Sequence, residues 1–165
     1  MIRQPCKAAG FLIFETMKHE NKMLLIGVAA LFLFILFPNV LLGQSGVMLT
    51  LAEDLIISFE GFIPVSKWDY KQYSWGYGTA APGPGLSITE SEARQQLRSH
   101  IEGDYNYLNS LITVSLNPQQ WAALLSFCYN EGRYNADNLV TNINNQDIEA
   151  IGNQWALYNK VTVNG

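Results

Sequence analysis

Charge is scarce in this chain, at 15% of 165 residues, and cysteine and histidine are scarcer still, with two of each. Cys6 and Cys128 belong to no Cys-x-x-Cys or Cys/His pattern, so neither a zinc site nor any other metal or cofactor is expected. His19 and His100 stand alone and read as solvent-exposed side chains rather than ligands. A basic stripe is also missing, which excludes a nucleic-acid binder. From Gly46 onward six basic residues face twelve acids, a net charge near −6. That sign argues against anionic partners, many cell-wall polymers among them. Internal repeats and low-complexity runs are absent as well.

Membrane character is concentrated at the N-terminus. Met23 to Gly43 reads MLLIGVAALFLFILFPNVLLG, with Asn39 as its one strongly polar side chain. At about 1.5 Å per residue such a helix crosses a hydrocarbon core ~30 Å thick. Lys18 and Lys22 precede it, and no Lys or Arg follows until Lys67, so residues 1–22 are expected in the cytoplasm and the rest beyond the membrane. Two readings stay open. One is an uncleaved signal anchor. The other is a signal peptide with Met23–Phe37 as apolar region, Pro38 as breaker and Gly43-Gln44-Ser45 as small-x-small cleavage pattern. A core helix is disfavoured, because a small domain cannot hide an all-round apolar helix. Met17 opens MKHENK, a conventional basic leader, which makes it a second candidate start. This topology puts the two cysteines on opposite sides and argues against a disulfide.

The remainder predicts an α+β domain, mostly α, over residues 48–165. Thr50 and Glu53 read as a capping box opening a first helix, with Leu51, Leu55, Ile56 and Phe59 on its buried face and Gly61 at its end. Residues 62–79, rich in aromatics, hydroxyls and glycine, predict short strands and turns; Pro82-Gly83-Pro84-Gly85 predicts a loop. Thr89 with Glu92 caps a long helix whose stripe is Ala93, Leu97, Ile101, Tyr105, Leu108 and Ile112. Asn117-Pro118 opens another, burying Trp121, Leu124, Leu125 and Cys128 and ending near Gly132. Two short helices follow, around Leu139–Ile143 and Ile148–Tyr158.

Glu60 closes the first helix and Asp69 follows nine residues later. A glycosidase needs two carboxyl groups with different tasks: one donates a proton to the leaving oxygen, and the other stays ionised as base or nucleophile. A helix end facing a hairpin can hold such a pair across a cleft, although the spacing alone also fits two solvated surface acids. Tyr70, Tyr73, Trp75 and Tyr77 are candidates for stacking sugars, with about half of them packed in the β-region. Trp121 reads as core and Glu131 as a surface or hinge acid.

The run Phe59-Glu60-Gly61-Phe62, then Trp68-Asp69, then Ser74-Trp75-Gly76-Tyr77-Gly78-Thr79, resembles the signature of the phage-type lysozymes, glycoside hydrolase family 24. Leu86–Ala93 is similar to that family's threonine-capped long helix, and Leu116–Gly132 to its central helix. The resemblance implies a lysozyme-like fold, a small hairpin region followed by a helical lobe. It implies Glu60 as general acid, Asp69 as the carboxylate that activates water, and Ser74 in place of the family's threonine, holding that water through its hydroxyl. Tyr70, Tyr73 and Tyr77 become the substrate-binding candidates. The implied substrate is bacterial peptidoglycan, cut by a monomer with inversion at the anomeric carbon, outside the cytoplasmic membrane reached through residues 23–43.

Two departures stand out. The segment from Asp69 to Ser74 is one residue shorter than the family's commonest form. The chain stops at Gly165, where family members continue into a helix with paired arginines, so marginal stability is expected. Competing readings are a lytic transglycosylase, which needs Glu60 but no water-activating acid, and an inactive wall-binding remnant.

Overall fold

Met48 and Leu49 are buried, and that burial decides where the first helix lies. In the computed structural model, which describes residues 45–69 and 71–159, helix α1 spans Ser45–Glu60. Thr50 is therefore not its N-cap: it sits inside the helix, and its hydroxyl donates back to the Gly46 carbonyl at 3.0 Å. The buried stripe is Met48, Leu49, Ala52 and Ile56, while Leu51, Leu55 and Phe59 are half-buried. Glu53, expected in a capping box, instead pairs with Arg94 and Arg98, each at 3.5 Å. The local capping signal lost to an additional turn of apolar packing. Residues 1–22 and the apolar stretch 23–43 lie outside the described residues, as do Tyr70 and 160–165. Among the described residues no helix is long and apolar enough to cross a membrane.

Three antiparallel strands follow, β1 (Ile63–Asp69), β2 (Gln72–Gly76) and β3 (Thr79–Ala80), in that order across the sheet. The register runs Asp69 opposite Gln72, Trp68 opposite Tyr73 and Lys67 opposite Ser74, then slips through a bulge before Ile63 meets Gly76. Only residues 70 and 71 separate the two strands, which accounts for the short segment between Asp69 and Ser74. The bulge carries Ser66, whose hydroxyl donates to the Gly83 carbonyl (2.6 Å) and accepts from the Leu86 amide (2.9 Å). The Pro-Gly loop is thereby pinned to β1, and Val65 forms an isolated bridge with Ser87.

The helical lobe matches its capping signals. Helix α2 (Glu90–Asn109) opens on the Thr89–Glu92 capping box, and α3 (Pro118–Glu131) on one formed by Asn117 and Gln120. Ile112, expected on α2, lies just beyond it and is still buried. Every residue from Gln120 to Cys128 is buried, so α3 is the central helix of the lobe. Helix α1 packs chiefly on α3, and α4 (Arg133–Asn144) and α5 (Ile148–Trp155) close the other side. A short 3-10 turn, Ala156–Asn159, follows. Phe127 of α3 packs on Trp155 with ring centroids 4.7 Å apart.

Candidate active site

Glu60 is the last residue of α1, at the seam between lobe and hairpin. Its carboxyl lies against the turn that joins β2 to β3. A Cβ placed on Gly78 would come 3.4 Å from Glu60 Oε2 and 3.8 Å from the Tyr129 hydroxyl. Gly78 has φ +91° and Gly76 φ +59°, conformations that glycine adopts at little cost. Gly76 also has no room for a side chain, since a Cβ there would meet Ala93 Cβ at 2.9 Å. These two glycines let the sheet approach α1 and α2 closely enough to form one wall around the acid.

The pleat places the other candidates. Residues opposite one another in an antiparallel pair share a face, as do residues two apart. Asp69, Gln72, Lys67 and Ser74 therefore share one face, and Asp69 and Ser74 are diagonal neighbours, a spacing of roughly 7–8 Å. Asp69 is half-buried at the end of β1, and Ser74 is 2% exposed in the middle strand. Tyr73 and Trp68 take the opposite face, where their rings meet edge-on at 5.3 Å. Trp68 is 61% exposed and presents an aromatic surface on the face opposite Asp69 and Ser74.

Tyr77 requires a correction. It is 1% exposed, with its ring 5.8 Å from that of Phe62 and the Arg94 guanidinium over it. Its hydroxyl donates to Glu90 at 3.0 Å, and burial followed by that bond raises the phenol's pKa. A ring so enclosed has no face for a sugar; Tyr77 is a structural residue. Trp75 is half-buried against the core, and Trp121 is core, as expected. Glu131 is half-buried, and loss of solvent raises its carboxyl pKa. Among the described residues no group of His, Cys, Asp and Glu is arranged to hold a metal.

Residues 57–165 match the family described as phage lysozyme, well over half of the chain. The chain belongs to the phage lysozyme family. The endolysin of Bacillus phage B103 is similar to it, with 28% identity over 130 residues, covering 72% of this chain and 46% of that protein. The chain thus spans about half the length of that relative.

Within this phage lysozyme domain, one cluster beside Glu60 escaped the sequence reading. His100 is exposed, as expected, but it has neighbours: its ring meets Tyr129 edge-on at 5.0 Å, and its Nε2 lies 3.4 Å from Asp104 Oδ2. Asp104 is buried on α2 and accepts from Arg133 Nε at 2.9 Å. The neighbouring Cys128 is a free, buried thiol, its pKa pushed up to about 12 chiefly by burial. The one signal available in the sequence was the four-residue spacing of His100 and Asp104, one helical turn. Their partners on other elements left no trace there.

Proposed function

We propose that this chain is a muramidase that hydrolyses the β-1,4 bond between N-acetylmuramic acid and N-acetylglucosamine in bacterial peptidoglycan, and so serves host-cell lysis. Glu60 donates its proton to the leaving glycosidic oxygen. Asp69 takes a proton from the attacking water, and the Ser74 hydroxyl orients that water. Attack from the face opposite the leaving group inverts the anomeric carbon.

The observation that carries this reading is the seam itself. An acid at the end of α1 is walled by a glycine turn, and the hairpin presents a second carboxyl and a hydroxyl on one face. Family membership and the similarity to an endolysin support the same class of substrate. The apolar stretch Met23–Gly43 supports a domain carried to the outer side of the cytoplasmic membrane, as an anchor or an export signal. Digestion of purified sacculi tests the reaction: new reducing ends of N-acetylmuramic acid, released with α-configuration, are expected. Products ending in 1,6-anhydro sugars, or no products, would contradict it. A reporter fused after Gly165 that functions only in the cytoplasm would contradict the topology.

A further inference from the structure

We propose that Tyr129 is a positioning residue for Glu60, holding the Tyr77–Gly78 turn in place as one wall of the acid's surroundings. This rests on the reading of Glu60 as general acid. The Tyr129 hydroxyl donates to the Tyr77 carbonyl at 2.7 Å, across 52 residues of sequence. The following residue, Gly78, leaves just the space that brings Glu60 Oε2 and the Tyr129 hydroxyl to the same spot. The turn has positive φ at Gly78, so its own backbone preference does not fix it. A bond from the rigid central helix does.

Tyr129 is itself braced. The His100 ring lies against it, Asp104 faces His100 from the same helix, and Arg133 of α4 holds Asp104. The charged and titratable groups that face the phenol are thus Glu60 from α1 and His100 and Asp104 from α2; Cys128 on α3 and Arg133 from α4 neighbour Asp104, while Tyr77 is held by Glu90. Burial, then the charges of Glu60 and Asp104, raise the phenol's pKa, so it remains a donor throughout the working pH range.

The hydroxyl therefore has a mechanical task with an electrostatic consequence. Without it the Tyr77 carbonyl loses its donor, the turn loosens and the Glu60 carboxyl, already partly exposed, gains further water. Better solvation favours the ionised acid, so the proton needed for catalysis leaves at lower pH.

The test compares Tyr129→Phe with wild type on soluble glycan strands, with Glu60→Gln alongside. Tyr129→Phe keeps the ring and its contact with His100. The expected result is a kcat about 10-fold lower with KM changed less than ~2-fold, and an alkaline limb of the kcat–pH profile moved down by roughly half a pH unit or more. Wild-type kcat with an unmoved limb would overturn the proposal. A lower kcat with an unmoved limb would overturn it too, since that is what a purely structural role gives. Should Tyr129→Phe fail to fold, His100→Leu, which removes the brace alone, decides by the same two readouts with a smaller shift expected. Activity retained in Glu60→Gln would reject the acid assignment itself, a failure distinct from a silent Tyr129→Phe.

Discussion

Nine consecutive residues of α3 are buried, whereas β1 buries Ser66 alone among its seven. The helical lobe is held by apolar packing from all sides. The hairpin is held by backbone pairing, by Ser66 gripping the loop at Gly83–Leu86, and by two glycines that let it lie against the lobe. The polar residues suited to chemistry lie on the hairpin and along its seam with the lobe. The lobe is sealed and the hairpin mostly exposed, with Ser74 at 2% exposure the buried exception among Glu60, Asp69 and Ser74.

Two tryptophans expose this contrast most sharply. Trp155 is fully buried, and Trp155→Ala should cost ~3–5 kcal/mol in chemical denaturation. Trp68→Ala, at an exposed position of the hairpin, should change stability by less than about 1 kcal/mol. Equal losses would erase the distinction between the two regions. Gly76→Ala probes the seam: the new Cβ at 2.9 Å from Ala93 Cβ and the positive φ together should cost about 1–3 kcal/mol. Activity should fall further than stability, because the sheet would move relative to Glu60. Ser66→Ala should cost about 1–3 kcal/mol for the unsatisfied groups left behind. Its effect should be local, speeding hydrogen exchange at the Leu86 amide while α3 amides keep their protection.

The smallest effect is electrostatic. Burial raises the folded-state pKa of Glu131 above the ordinary 4.5. Below pH 4.5 folded and unfolded chains are both protonated there, and the group costs nothing. As pH rises the unfolded chain loses the proton first, so folding is disfavoured until the buried carboxyl also ionises, and the penalty then stays. Glu131→Gln should therefore raise the melting temperature slightly at pH 7 and leave it unchanged below pH 4.5. A gain confined to acid pH would reverse this sign.

How much of this was legible in the sequence depended on how far each interaction reaches. Thr89–Glu92 and Asn117–Pro118 act within one turn of helix, and both elements start where those residues indicate. Thr50–Glu53 carries the same local signal and misleads, because Met48 and Leu49 find the core and Glu53 finds arginines more than 40 residues away. Asp104 hides for a related reason: a charge on an amphipathic helix reads as solvent-facing until its partner Arg133 is known. Tyr77 read as a sugar platform because sequence gives ring chemistry without exposure. Glu60, Asp69 and Ser74 were nominated through their motif, and the hairpin register adds the shared face of Asp69 and Ser74, which spacing could not supply.

The proposed reaction stands or falls with the Glu60 carboxyl, at the end of α1, as proton donor. Its most direct test is the release of reducing ends from purified peptidoglycan by wild type and Glu60→Gln at equal concentration, with melting curves recorded for both. A loss on the order of 10²–10⁴-fold is expected, with the melting temperature nearly unchanged. A folded Glu60→Gln protein that cuts peptidoglycan at near wild-type rate would contradict it.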